Sequence, residues 1–157
     1  MKIRIVILFL STLLTACTNG GVSSQAREMK YREQIQSFVN LQGLKAIEQI
    51  TPFKLKSYLI LDDKYIAITG INRKSFLLTT SDTCDDLLLA RKLNLHTKNE
   101  NLVQLGTDFI ARPGEKQIAC PITNIYAMNE VQFKELAHLN VKRRGKIDVN
   151  FPMSKGI

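Results

Sequence analysis

The sequence contains no tryptophan and only two histidines, His96 and His138, among its 157 residues. Neither histidine stands in H-x-x-x-H or H-E-x-x-H spacing, so the zinc-binding helix of many hydrolases is excluded. The G-x-S-x-G elbow of serine hydrolases, the glycine-rich phosphate loop and the dinucleotide-binding fingerprint are also absent. No C-x-x-C pair is present, which removes the usual dithiol redox motif. The sequence therefore offers no standard catalytic motif.

The N-terminus has an apolar run that is too short to cross a membrane. Residues 5–14 form ten mostly apolar positions after Lys2 and Arg4, whereas a spanning helix needs roughly 20. A basic start followed by a short apolar run is typical of a secretory signal peptide. The next residues, Leu14-Thr15-Ala16-Cys17, resemble the lipobox of bacterial lipoproteins. We therefore predict a signal peptide at residues 1–16, cleavage before Cys17, and membrane attachment through lipid, including palmitate, on Cys17.

The residues after the predicted cleavage site form a tether, which we place at 17–24. It is rich in glycine and serine and is therefore flexible. The seven residues after Cys17 reach at most about 23 Å. In bacteria with two membranes the residue after the lipidated cysteine influences sorting, and Thr18 is not the aspartate that resembles an inner-membrane retention signal. The predicted location is therefore the periplasmic face of the outer membrane.

Charge narrows the range of partners. The chain has 22 basic and 14 acidic residues, and loss of the signal leaves 20 against 14, a formal charge of +6. For an exported protein this balance indicates anionic envelope components as neighbours and gives no reason to expect nucleic acid. The basic run Lys142-Arg143-Arg144-Gly145-Lys146 can contact anionic lipid or remain solvated. We favour a solvated basic tail at 141–157.

Two of the three cysteines remain after lipidation of Cys17. Cys84 and Cys120 form an even pair in an oxidising compartment, and a disulfide between them is the default expectation. The alternative is a thiol site in which Cys84, near a helix start, is the nucleophile and His96 the base. The available partner Cys120 favours the structural disulfide.

Residue periodicity predicts a single α+β domain at residues 25–140. Tyr31, Ile35, Phe38 and Val39 form the apolar stripe of a first helix, and alternating apolar residues then indicate strands. Asn129 and Gln132 have capping-box spacing at the start of a last helix. The predicted elements are a helix at 25–40, strands at 57–61, 64–69 and 75–80, a short helix ending near 91, strands at 93–97, 102–111 (interrupted by Gly106 as a bulge) and 116–127, and a helix from 129.

This order predicts a small antiparallel β-rich domain of about six strands, a partly closed barrel or a sandwich. It has an N-terminal helix, a short central helix and a C-terminal helix.

Several short segments between residues 57 and 129 resemble a family of small proteobacterial lipoproteins with a domain of unknown function. The matching segments are Tyr58-Leu59-Ile60-Leu61-Asp62-Asp63, Ser75-Phe76-Leu77-Leu78, Cys84-Asp85-Asp86-Leu87, Gly106-Thr107-Asp108 and Cys120-Pro121-Ile122. The resemblance implies a cysteine at a helix start paired with one in the last strand. This sequence departs from the family pattern at Tyr58, where many members carry tryptophan. The resemblance implies no activity.

Two further arrangements of acidic residues could form sites. A metal site from Asp82, Asp85, Asp86 and His96 competes with ordinary helix capping, which acidic residues at a helix start usually provide. Asp62 and Asp63 resemble paired carboxylates for glycan hydrolysis. Adjacent residues point to opposite faces of a strand, and in a turn both face water, so turn chemistry is the better prediction. We predict neither a metal nor a cofactor.

The sequence thus favours a non-catalytic, lipid-anchored envelope protein with an interaction or structural role. Its partners are the membrane, through Cys17, and an envelope protein or anionic envelope component. The alternatives are an envelope enzyme acting on cell-wall or lipid substrates, and a carrier of a small apolar or anionic ligand. A deep polar pocket would favour the enzyme, a deep apolar cavity the carrier, and a filled core with an apolar surface patch the interaction domain.

Overall fold

The computed structural model describes residues 24–81, 84, 87–89, 92–111 and 119–144. Within these residues the chain forms two α-helices, nine strands and one turn of 3-10 helix at Leu87–Leu89. The elements are α1 (Ser24–Leu41), β1 (Ala46–Ile47), β2 (Gln49–Ile50), β3 (Leu55–Ile60), β4 (Tyr65–Gly70), β5 (Ser75–Thr80), β6 (Asn94–His96), β7 (Val103–Gln104), β8 (Phe109–Ala111), β9 (Ala119–Met128) and α2 (Glu130–Arg144).

Seven of the described strands form one antiparallel sheet with the order β3-β4-β5-β9-β8-β6. The seventh, β1, pairs with the second half of β9, while β8 pairs with its first residues. The strands β2 and β7 form a separate antiparallel pair. The sheet curves into a half-barrel, so the predicted α+β class with a β-rich, partly closed domain is confirmed.

The two faces of the sheet bury different sets of side chains, because successive residues of a strand point to opposite sides. One face lines the inside of the half-barrel and includes Ile66, Phe76, Leu78 and Ile125. The opposite face is covered by the helices. The helix-covered core contains Tyr31, Ile35, Phe38, Val39, Leu61, Tyr65, Ala67, Leu77, Met128 and Leu136.

The helices follow local sequence signals. All four residues of the predicted α1 stripe are buried, with Ile35 fully so. At the start of α2, the Asn129 side-chain oxygen accepts the Gln132 N–H over 2.9 Å, and the Gln132 side-chain oxygen accepts the Asn129 N–H over 2.9 Å. This reciprocal pair is the predicted capping box, which satisfies amides that the first turn leaves without partners.

Two local predictions differ from the structure, and a third is only partly described. Gly106 lies in a turn between β7 and β8, at φ 77°, and does not form a bulge within one strand. The described part of the short central helix is only the 3-10 turn Leu87–Leu89, because Asp82, Thr83 and residues 85, 86, 90 and 91 lie outside the described residues. The last helix continues to Arg144, beyond the predicted start of the tail at residue 141.

Two short strands, β1 and β2, have no counterpart among the predicted elements. Each has two residues, and each pairs with a strand more than fifty positions later in the chain. The predicted turn at 112–115 lies outside the described residues, as do the predicted signal peptide and the tail beyond residue 144.

Candidate functional site

Cys84 and Cys120 form a disulfide in the core of the half-barrel. Their Cα atoms are 5.7 Å apart, within the range that a disulfide requires. Both are buried, together with Leu87, Ile110 and Ile122. The bond joins the connection after β5 to the first part of β9, as the sequence predicted. It also removes Cys84 as a free nucleophile.

His96 lies on the other side of the sheet from this disulfide. His96 on β6 pairs with Phe109 on β8. The next residue of β8, Ile110, pairs with Cys120 on β9. Ile110 and Cys120 point into the half-barrel, whereas His96 stacks on Phe109 with ring centroids 4.8 Å apart. Since adjacent residues of a strand face opposite ways, the imidazole and the two sulfur atoms are separated by the sheet. The thiol–imidazole alternative therefore has no geometric support.

Asp62 is not the solvent-facing turn residue that the sequence predicted. Its side chain is 1% exposed. One carboxylate oxygen accepts the N–H groups of Lys64 and Tyr65 over 2.8 and 2.6 Å, and the other accepts Nε of Arg32 over 3.0 Å. The prediction that both aspartates face water was wrong, because Arg32 of α1 covers the loop and neutralises the buried charge.

Asp63 turns away from Asp62 toward the 3-10 segment. Its Oδ1 accepts the N–H of Leu88 over 3.3 Å. Burial raises the pKa of the Asp63 carboxyl above its ordinary value, and this outweighs the opposing effect of the Leu88 N–H. The negative charge of Asp62 raises the pKa of Asp63 further, by a smaller effect. The two carboxylates have different partners and do not converge on one point, so they hold the β3–β4 loop and do not form a hydrolytic pair.

Asp108 is a second buried carboxylate with a structural role. It is 2% exposed. One oxygen accepts the Lys98 N–H over 3.0 Å and the Thr107 hydroxyl over 3.1 Å, and the other accepts the Gln104 N–H over 2.7 Å. These bonds connect the segment after β6 to the turn between β7 and β8. In the sequence Asp108 stood out only through the family resemblance, since two of its three donors are main-chain groups that no motif reveals.

No group of three or more potential metal ligands occurs in the described part of the chain. Of the four residues weighed as a metal site, only His96 is described, and Asp82, Asp85 and Asp86 lie outside it.

A small space lies among the apolar side chains inside the half-barrel. The space among its lining side chains is about 10 Å³, roughly what a single water molecule needs. The Tyr58 hydroxyl accepts a hydrogen bond from the N–H of Leu93 over 3.0 Å. This bond holds the tyrosine ring against the segment just before β6. The lining residues are Leu55, Tyr58, Ile66, Ile68, Leu78, Leu93, Leu95 and Ile110.

A larger space lies on the outside of the molecule, where Phe38 of α1 meets α2. This open groove has a volume of about 450 Å³. Its lining residues on α2 recur at helical spacing and therefore share one face. Besides Phe38, they are Val131, Lys134, Glu135, His138, Leu139 and Lys142.

The charges of the groove are partly neutralised. Lys134 forms an ion pair with Glu130 over 2.7 Å, and Glu135 accepts Nε2 of Gln42 over 3.0 Å. Val131 is 64% exposed. The groove therefore has an apolar floor and a partly basic rim, which suits contact with another surface better than chemistry. The sequence predicted the start of α2 but gave no sign of this groove.

None of the described helices is long and apolar enough to cross a bilayer. A family model described as a family of unknown function (DUF6491) matches residues 1–144. No curated protein and no solved structure matches this chain.

Proposed function

The chain belongs to the DUF6491 family of unknown function, and we propose that it is a lipid-anchored envelope protein with a non-catalytic interaction or structural role. In this proposal the precursor is cut before Cys17, and lipid on Cys17 holds the domain on the periplasmic face of the outer membrane. The disulfide-closed domain then acts as a rigid body close to the bilayer.

The sequence order at the N-terminus supports the lipid anchor. Lys2 and Arg4 precede a ten-residue apolar run, and Cys17 follows directly in lipobox context. The first described helix begins at Ser24, seven residues after that cysteine. Several acyl chains on one residue give stable attachment, because each buried methylene contributes about 0.8 kcal/mol.

The close packing inside the half-barrel argues against the carrier alternative, and it is the observation that best supports an interaction or structural role. The space of about 10 Å³ among the half-barrel's side chains leaves no room for a carried ligand. The candidate catalytic groups that are described have structural partners: Cys84 is in a disulfide, and Asp62 holds a loop and a helix. The open groove at Phe38 and α2 is the larger described space, and it lies on the surface.

The lipid anchor is tested by replacing Cys17. Cys17→Ser should abolish incorporation of labelled palmitate and move the protein from the membrane fraction to the soluble fraction. The double variant Cys84→Ala/Cys120→Ala is the matched control, because it retains Cys17 as its single cysteine and should stay labelled and membrane-bound. A Cys17→Ser protein that remains labelled would refute the anchor.

The non-catalytic role is tested with the mature, oxidised protein. We expect no turnover on panels of peptidoglycan, lipid ester and disulfide substrates. Reproducible turnover that disappears in His96→Ala, with an unchanged melting temperature, would favour the enzyme alternative. His138→Ala serves as the matched histidine control, since it lies in the surface groove.

A further inference from the structure

The two helices lie side by side and run in opposite directions. The Tyr31 hydroxyl, in the first half of α1, donates to the Asn140 side chain near the end of α2 over 3.4 Å. Gln42, just after α1, donates to Glu135 in the middle of α2 over 3.0 Å. Later positions on α1 therefore meet earlier positions on α2.

This alignment places the beginning of α1 and the end of α2 at the same end of the molecule. Ser24 lies seven residues before Tyr31, and Arg144 lies four residues after Asn140. With a rise of about 1.5 Å per residue, the helices extend about 10 Å and about 6 Å beyond this contact. We call this region the α1-start/α2-end face, formed by residues 24–31 and 140–144.

Within residues 24–31 and 140–144 basic residues outnumber acidic ones, and Glu28 together with the neighbouring Asp63 adds negative charge beside them. The last nine residues of α2 contain Lys142, Arg143 and Arg144 and no acidic residue. The first turns of α1 contribute two exposed basic residues, Arg27 and Lys30, and one acidic residue, Glu28. Met29 is 59% exposed on the same stretch. The face therefore combines positive charge with an apolar side chain, which suits an anionic lipid surface.

The tether determines which end of the molecule can meet the membrane. Residue 24 is seven positions from Cys17, so α1 starts at most about 23 Å from the lipidated residue. Another basic group consists of Lys54 just before β3, Lys56 on β3 and Lys74 in the β4–β5 turn. That turn precedes Ser75, which pairs with Met128 just before α2 begins. This second group therefore lies at the opposite end of α2.

We propose that the α1-start/α2-end face is the membrane-facing surface of the protein, where its exposed basic residues, among them Arg27, Lys30 and Lys142, contact the anionic headgroups of the bilayer that holds the lipid on Cys17. This orientation rests on the proposed lipid anchor. Charge attraction adds to the lipid and holds the domain in one pose, so the opposite end, with the β4–β5 turn, points away from the membrane.

The orientation is tested with the lipidated, full mature chain in vesicles. A single cysteine is introduced at His138→Cys or Ile71→Cys and labelled with a fluorophore, which is feasible because Cys84 and Cys120 are paired. Neither replacement removes a lysine or arginine. Lipids with a quencher on the headgroup report proximity. In vesicles of phosphatidylcholine and phosphatidylglycerol, quenching should be several-fold stronger at position 138 than at position 71.

Charge variants distinguish binding through this face from a general attraction of the basic protein to an anionic membrane. Lys142→Gln/Arg143→Gln/Arg144→Gln should remove the difference between the two positions, because each basic residue near an anionic surface shifts the population by roughly fivefold. Lys54→Gln/Lys56→Gln/Lys74→Gln makes the same charge change at the other end and should leave it intact. Pure phosphatidylcholine or high salt should also abolish the difference.

The outcomes distinguish the orientation from the anchor. Equal quenching at both positions in anionic vesicles, with the protein still sedimenting with them, would overturn the orientation alone. An equal effect of the two triple variants would overturn it as well. A wild-type protein that does not sediment with vesicles would overturn the lipid anchor and the orientation together.

Discussion

Arg32 and Asp62 connect the first helix to the first hairpin, with Nε of Arg32 donating to Oδ2 of Asp62 over 3.0 Å. The arginine is 42% exposed, whereas the aspartate is 1% exposed. The other oxygen of Asp62 accepts two main-chain N–H groups of the β3–β4 loop. A single carboxylate therefore fixes both the shape of the loop and the position of α1 on the sheet.

Replacement of Asp62 should destabilise the domain more than replacement of Arg32. Asp62→Ala leaves the buried N–H groups of Lys64 and Tyr65 without their acceptor, and we expect a loss of about 2–4 kcal/mol. In Arg32→Met the carboxylate keeps both main-chain donors, so the loss should be smaller. Glu33→Ala, at an exposed α1 position, is the control and should change stability little. Urea unfolding measures all three, and a larger loss for Arg32→Met would contradict this account.

The disulfide should supply a large share of the stability. Cys84 and Cys120 are 36 positions apart, and closing such a loop constrains the unfolded chain by about 4 kcal/mol. Reduction should lower the melting temperature by roughly 10–20 °C. Cys84→Ala, Cys120→Ala and the double variant should show similar losses, since each removes the same bond. Calorimetry with and without reductant measures this, and an unchanged melting temperature would contradict it.

Because of Asp63, the free energy of unfolding should change with pH in the acidic range. Because burial raises the pKa of its carboxyl in the folded protein, folding favours the protonated form. This contribution is fully present below the unfolded pKa and is lost as pH rises through the raised folded pKa. Asp63→Asn resembles the protonated acid and retains an acceptor for the Leu88 N–H.

The difference in stability between Asp63→Asn and wild type should therefore favour the variant more at pH 7 than at about pH 3. Thermal unfolding at the two pH values measures the difference. Asp108→Asn is an unsuitable control because Asp108 holds three donors, so exposed Glu33→Gln is used. A gain that is equal at both pH values would show that titration of Asp63 is not its cause.

The sequence predicted those elements whose signals are local. The strand Ser75–Thr80 has the predicted bounds, because Phe76, Thr79 and Thr80 have high strand propensity. The α1 stripe and the α2 capping box depend on residues within one or two turns of each other, and both are present. The disulfide was predicted from the number of cysteines and from the oxidising compartment expected for an exported protein. Neither requires knowledge of the fold.

Features that depend on distant partners were missed. The strands β1 and β2 exist only through pairing with β9 and β7. The burial of Asp62 depends on Arg32, thirty positions earlier in the chain. The groove at Phe38 and α2 arises from the packing of two helices from opposite ends of the domain. Periodicity within a segment does not reveal which segments meet.

The bond between Cys84 and Cys120 also limits how far the protein can be stretched. The two cysteines are 36 positions apart, and the loop between them, which includes β6, β7 and β8, cannot extend while the bond is intact. Fully extended, it would add roughly 120 Å to the length of the chain. Tension applied between the N-terminus and α2 can extend α1 and the β3–β4 and β4–β5 hairpins, whereas the enclosed strands β6, β7 and β8 cannot extend until the disulfide is reduced.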